Sequence, residues 1–271
     1  MLLGGIAVLS AVLAVILTIG GSVWLLPLWF AACYAGLFLL AFLFFVAVSY
    51  CVPRDRKQES DSTFYRFVIR LYVEALMQLM GVRVTATGLE KTPKDGRFLL
   101  VCNHQFAADP GILLHYFRRS QLAFISKKEN HDLFCVGPLM SHILCQELDR
   151  ENDRQALQVI LKCIRILKED KASVAVFPEG GTNHDDKLHP FRPGVFKIAQ
   201  KANVPIVVCT LNNTRPIVHN GLRLKKTPVS LHLVEVIPPE ALAGQTTQQI
   251  ADRVYGIMLA DLGEEYRASG T

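Results

Sequence analysis

After residue 82 the chain alternates short apolar runs with helical patterns, which predicts an α/β fold. The expected architecture is a largely parallel mixed sheet flanked by helices, with a hydrophobic helical hairpin at the N-terminus. Two further observations support it. The first 53 residues contain no Asp, Glu, Lys, Arg or His. The helical stretches between the apolar runs carry their apolar residues on one face, as elements packed on a sheet must.

The leader comes first. A single membrane span needs about 20 apolar residues, and fifty helical residues would extend roughly 75 Å, so this run must fold back on itself. Gly20-Gly21-Ser22 and Pro27 mark the expected turn between helices over 2–19 and 28–50, and Trp24 and Trp29 suit a membrane interface. The pattern fits two full spans or a re-entrant hairpin. It does not fit a cleaved signal peptide, because a basic start is lacking and the apolar run is too long. Arg54, Arg56 and Lys57 follow at once, which by the positive-inside tendency places the rest of the protein at the cytoplasmic face of the cell membrane.

Residues 58–63 read as a polar linker. Segment 64–80 reads as a broad-faced amphipathic helix, able to lie on lipid or to cap the core: Phe64, Phe67, Val68, Leu71, Leu76, Leu79 and Met80 stand beside Arg66 and Arg70. Strands are expected at 82–87, 97–102, 122–126, 143–147, 173–177, 205–211 and 229–237. Helices are expected at 110–119, 153–169, 194–202 and 247–263, with Asn152 and Gln155 spaced as a capping pair. The chain thus divides into an anchoring hairpin (1–53), a linker with an amphipathic helix (54–81) and a catalytic domain (82–271).

Composition narrows the partners. Cys33, Cys51, Cys102, Cys135, Cys145, Cys163 and Cys209 are scattered without a Cys-x-x-Cys, and read as small apolar residues in a reducing compartment. The net charge of +5 lies entirely after residue 53, which suits an anionic lipid surface. No dense Lys/Arg stripe or nucleic-acid motif appears, so nucleic acid is not an expected partner.

Two segments carry chemistry. In Asn103-His104-Gln105-Phe106-Ala107-Ala108-Asp109, five residues of ideal helix would turn about 500° and separate His104 from Asp109. The two side chains meet only if His104 sits on a loop after a strand and Asp109 opens a helix. Asp109-Pro110 reads as a helix cap followed by proline at the first helical position. An aspartate holding one imidazole nitrogen leaves the other as a base for a hydroxyl. The second segment, Phe177-Pro178-Glu179-Gly180-Gly181, follows a buried strand, and ligand sites of open α/β sheets lie beyond the carboxyl ends of strands.

Together these segments resemble the glycerolipid acyltransferase family, of the lysophosphatidic acid acyltransferase type, over roughly residues 80–215. Asn103-His104 with Asp109 matches its first block, and Glu147-Leu148-Asp149-Arg150 its second. Phe177-Pro178-Glu179-Gly180, with Leu188 through Ala199 downstream, is similar to the third, and Val204-Pro205-Ile206-Val207-Val208 to the fourth. The resemblance implies acyl transfer from acyl-CoA or acyl carrier protein to the sn-2 hydroxyl of 1-acyl-sn-glycerol 3-phosphate, giving phosphatidate. It implies His104 as base, Asp109 as its orienter, Arg150 as a phosphate ligand, and Glu179, Gly180 and Gly181 as the acceptor site. The thioester is a co-substrate, and no cofactor or metal is implied.

One departure matters. The family commonly has Glu-Gly-Thr-Arg in the third block, and here Gly181 and Thr182 align where Thr and Arg stand. Arg192 and Lys187 are the candidates to replace that arginine. Its loss makes a lyso-lipid with a larger head group the alternative acceptor, and a silent membrane scaffold is the alternative outside enzymes. His184-Asp185-Asp186 with His189 matches no standard metal spacing. His115, His131, His142, His219 and His232 read as structural or solvated. No Gly-x-Ser-x-Gly, P-loop or dinucleotide fingerprint is present.

Overall fold

The computed structural model describes residues 1–19, 21–51, 61–149, 152–182 and 185–268. Among them, seven strands form one sheet: β1 (Val82–Thr87), β2 (Leu99–Cys102), β3 (Ala123–Lys127), β4 (Gln146–Leu148), β5 (Val174–Val176), β6 (Ile206–Asn212) and β7 (Thr227–Ile237). Their order is β1-β7-β6-β2-β5-β3-β4. Every pairing is parallel except β6 with β7, which is antiparallel. The carboxyl ends of β2, β3, β4, β5 and β6 therefore share one end of the sheet.

The central strands read as unbroken apolar runs because helices cover both faces. Leu99, Val101, Val174, Val176, Ile206 and Val208 face one core layer, shared with α6 (Asp153–Lys168), α7 (Lys197–Ala202) and α9 (Thr247–Leu262). Leu100, Cys102, Ala175, Val207, Cys209 and Leu211 face the other, beneath α3 (Thr63–Leu79), α4 (Asp109–Tyr116) and α8 (Ile217–Leu222). Helix α3 is also tied down by a buried arginine. Arg66 pairs with Asp61 at 2.7 Å and donates to the Leu122 and Ile143 carbonyls. Tyr65, Ile69 and Met77 of α3 pack on the core, while Phe64, Phe67, Leu76 and Leu79 remain exposed. Both expected roles of this amphipathic segment thus have a face.

In front stand two apolar helices, α1 (Leu2–Thr18) and α2 (Leu26–Tyr50), which pack on each other. The helical segment Val23–Tyr50 is long and apolar enough to cross a membrane, by length and composition. Pro27 lies in the first turn of α2, where its missing N–H costs nothing, and not in the connecting turn. That turn is a short 3-10 segment at Val23–Leu25, and Trp24 is 92% exposed.

All seven expected strands are present; the first keeps its expected bounds and the other six shift at one or both ends. The one expected at 143–147 pairs only over 146–148, because Met140–Leu144 form a turn with Leu144 at φ +62°. The helix expected at 110–119 ends at Tyr116, where Ser120 N–H turns back to the Phe117 carbonyl. That expected at 194–202 opens as 3-10 turn over Pro193–Phe196. Asn152 caps α6 through Gln155 N–H at 3.0 Å, but the Gln155 side chain bonds Asp149 N–H and the Glu147 carbonyl instead of returning to the cap. Two six-residue helices, α5 (Val136–Ser141) and α8, were not anticipated. Five of the seven cysteines are buried and all are free, though Cys51 is exposed. Gly20, the Arg54, Arg56 and Lys57 cluster, linker residues 58–60, Arg150 and His184 lie outside the described residues.

Candidate active site

Strand β2 delivers His104 to the carboxyl end of the sheet, and the next loop is held by side chains. Asn103 bonds both backbone groups of Leu211, donating to the carbonyl at 2.8 Å and accepting from the N–H at 2.7 Å. Gln105 accepts from Thr214 N–H at 3.3 Å. The loop is thereby fastened to the end of β6 before α4 begins.

Asp109 opens α4, but it does not cap it. Ala108 occupies the cap position, Asp109 is the first helical residue and Pro110 follows. The carboxylate turns back into the loop, where one oxygen, Oδ2, accepts from Gln105 N–H at 2.7 Å and Phe106 N–H at 2.8 Å. The same oxygen takes His104 Nδ1 at 2.9 Å. Asp109 is 0% exposed, so its position is set by these three donors. With Nδ1–H given to the carboxylate, Nε2 keeps its lone pair. The Phe177 ring stacks on the imidazole, centroids 4.1 Å apart, and fixes its plane.

Glu179 joins the two blocks. Its Oε1 accepts from His104 N–H at 2.8 Å and its Oε2 from His189 N–H at 3.0 Å. The carboxylate is a clasp between the histidine loop and the 185–189 loop. Burial pushes its pKa up to about 7, against the two N–H bonds and the two histidines, which pull it down. Gly180 stands at φ +78°, and a Cβ there would come within 2.4 Å of Arg192 Nε. Glycine therefore permits both the turn and the passage of Arg192 across it. Arg192 N–H bonds the Pro178 carbonyl at 2.8 Å, and its exposed guanidinium makes no hydrogen bond or ion pair among the described residues. Gly181 is half-buried in the same turn.

A cleft of about 220 Å³ adjoins His104, Gln105 and Glu179. Its other lining includes Lys187, Leu188, Leu262 and Tyr266, and sequence reasoning missed the last two. No motif marked them. The C-terminal segment reaches the site because Leu188 N–H bonds the Tyr266 carbonyl at 2.6 Å and Tyr266 Oη bonds Asn212 at 2.9 Å. Lys187 is engaged through the Glu265 carbonyl.

Of the expected site residues, His104, Asp109, Glu179, Gly180, Gly181 and Arg192 converge at this end of the sheet. Arg150 falls outside the described residues. Among the described residues no group of three His, Cys, Asp or Glu could hold a metal ion; His189 simply pairs with Asp185 at 2.9 Å.

Glu179 gives a pH prediction. Its folded pKa lies above the ordinary carboxylate value, so the folded chain holds this proton between about pH 4.5 and 7 while the unfolded chain has released it. The stabilisation from this group is complete below pH 4.5 and lost as pH rises through 7. The melting temperature of Glu179→Gln relative to wild type should therefore rise across that window. Parallel melting curves at all pH values would contradict the assignment.

The Acyltransferase family model matches residues 83–212. The chain is 27% identical to human 1-acyl-sn-glycerol-3-phosphate acyltransferase alpha, over 87% of this chain and 84% of that protein. It is 32% identical to the probable 1-acyl-sn-glycerol-3-phosphate acyltransferase of Mycoplasma pneumoniae, over 61% of this chain and 62% of that one, so it spans just under two thirds of that relative. The crystal structure of the 1-acyl-sn-glycerophosphate (LPA) acyltransferase from Thermotoga maritima matches with a TM-score of 0.62 at 24% identity, covering 85% of this chain and 97% of that one, a likeness of fold. The histidine–aspartate pair at the end of β2 and the glutamate clasp lie within the segment that matches the Acyltransferase family model, and the relatives this chain resembles are acyltransferases.

Proposed function

We propose that the protein transfers an acyl group from a thioester, acyl-CoA or acyl carrier protein, to the sn-2 hydroxyl of 1-acyl-sn-glycerol 3-phosphate, forming phosphatidate. The observation that carries the proposal is the 2.9 Å contact of His104 Nδ1 with buried Asp109, beside a cleft lined by Glu179 and Lys187. His104 Nε2 takes the hydroxyl proton as the oxygen attacks the thioester carbonyl carbon. The tetrahedral oxyanion collapses, the carbon–sulfur bond breaks, and the imidazolium passes the proton to the departing sulfur, so that a thiol leaves and His104 is neutral again. Asp109 keeps the ring in place and balances its transient charge. The one proton moved is the acceptor hydroxyl's own, relayed by His104 to the leaving thiol.

Glu179, Gly180 and Gly181 shape the acceptor site, and the glutamate acts through the backbone of His104. Arg192 lies across Gly180 with an exposed guanidinium, a fork matched to phosphate oxygens. Arg150 is a second phosphate ligand on the family resemblance alone. The apolar helices α1 and α2 hold the enzyme at a membrane, and the positive-inside tendency of Arg54, Arg56 and Lys57 orients the catalytic part to the cytoplasm. Thr182, standing where the family has arginine, keeps a lyso-lipid with a larger head group as the second reading.

The test is steady-state kinetics of Arg192→Gln against lysophosphatidic acid. Loss of charge-assisted bonds worth about 1.5–3 kcal/mol should raise the apparent KM roughly 10-fold or more, with kcat little changed and Arg192→Lys intermediate. An unchanged KM removes Arg192 from phosphate binding.

A further inference from the structure

The connection from β6 to β7 carries a feature that the chemistry does not use. Helix α8 ends in a turn in which Leu224 N–H bonds the Gly221 carbonyl at 3.0 Å and Lys225 N–H bonds the Asn220 carbonyl at 2.9 Å. Leu224 sits in the left-handed region at φ +54°, a position where helices usually place glycine or asparagine. Yet it is leucine, and it is 94% exposed; Leu222 is 77% exposed and Val218 is exposed beside them. Arg223, Lys225 and Lys226 are exposed between and after the two leucines. From Lys187 through Val234 the sequence contains no Asp or Glu at all. Among the described residues, this strained, solvent-facing leucine stands between cations that make no ion pair.

Its place in the fold points to the partner. Gly221 packs directly on Met80 just past the end of α3, so the turn stands at the β6 carboxyl end of the sheet, the end that carries His104. Helix α2 runs beside α3 in the opposite direction, with Cys51 near Tyr65 and the Ala41 carbonyl accepting from Tyr72 Oη at 2.5 Å. The fifteen residues from Ala41 back to Leu26 extend about 22 Å, whereas Tyr72 to Leu79 covers only about 10 Å. The apolar hairpin therefore projects roughly 12 Å beyond α3, at the same end as the turn.

We infer that Val218–Lys226 is a second membrane contact, in which Leu222 and Leu224 enter the acyl boundary of an anionic lipid surface while Arg223, Lys225 and Lys226 meet its head groups. It rests on the membrane attachment read above. Helix hairpin and turn then hold the active-site end of the sheet against the surface from which a lyso-lipid enters. Exposed apolar residues flanked by cations are the chemistry of an interfacial element, and each cation near an anionic surface adds to binding.

The experiment uses full-length protein reconstituted in vesicles of phosphatidylcholine and phosphatidylglycerol containing brominated acyl chains. Leu224→Trp is compared with Lys168→Trp at the opposite end of the sheet, both in a Trp24→Phe, Trp29→Phe background. An element buried roughly 5–10 Å should lose about half of its Leu224→Trp emission to bromine, and Lys168→Trp almost none. Adding Lys225→Glu and Lys226→Glu should reduce that quenching. Equal, weak quenching at both positions overturns the contact. A blue shift of Leu224→Trp that follows protein concentration and not lipid would assign the turn to a second copy of the chain and overturns it too. Trp24 alone, in a Trp29→Phe variant, separates the two readings: quenched Trp24 with unquenched Leu224→Trp defeats this contact alone, and unquenched Trp24 defeats membrane attachment with it. None of these readouts depends on acyl transfer.

Discussion

His104→Ala should lower the acyl-transfer rate by about 10²–10⁴-fold, the usual worth of a positioned general base. The variant should still fold. The bond from residue 104 to Glu179 is donated by the backbone N–H, which alanine retains, so the clasp between the two loops survives. The lost contacts are the bond to Asp109 and the stack on Phe177, both at a partly open cleft. Circular dichroism and melting temperature should therefore stay close to wild type while product formation disappears. Near-wild-type turnover in this variant would exclude His104 as the base.

Asp109→Asn should produce a loss of similar size, about 10⁴-fold at most, by a different route. The asparagine carbonyl can still accept the Gln105 and Phe106 N–H groups, so the loop keeps its shape. Its amide, unlike a carboxylate, does not stabilise the imidazolium or fix the Nδ1–H tautomer. Asp109→Ala differs because it leaves two N–H groups without their acceptor in a buried site, a cost of about 1–3 kcal/mol each. Asn should thus separate chemistry from stability, and Ala should lose both. A folded, fully active Asp109→Asn would show that the carboxylate serves only as a brace.

Much of this site is legible in the sequence. The strand–loop–helix reading of residues 98–110 follows from an apolar run, a histidine and an Asp-Pro pair. It required only that His104 and Asp109 meet, which they do. The role of the aspartate in the loop was not legible, because a carboxylate at a helix start bonds either forward to its own helix or backward to the preceding turn. Three donors in a buried loop decide for the second. Glu179 was recognised by its block, but its action through two backbone N–H groups depends on the pairing of β2 with β5, and strand order is a long-range property. The same holds for Leu262 and Tyr266, which reach the cleft only because the C-terminal segment packs along residues 187–188. Helices α5 and α8 contain Gly-Pro and Asn-Gly, residues that locally signal turns, and six residues give too little periodicity to outweigh them.

The most direct measurement is product formation by detergent-purified protein given labelled acyl-CoA, or acyl carrier protein loaded with the same chain. Lysophosphatidic acid and lysophosphatidylcholine would serve as competing acceptors, with His104→Ala run alongside. The account predicts labelled phosphatidate as the main product from at least one donor and none from the variant. Transfer that favours lysophosphatidylcholine would contradict the assigned acceptor, and label appearing equally with His104→Ala would contradict the mechanism itself.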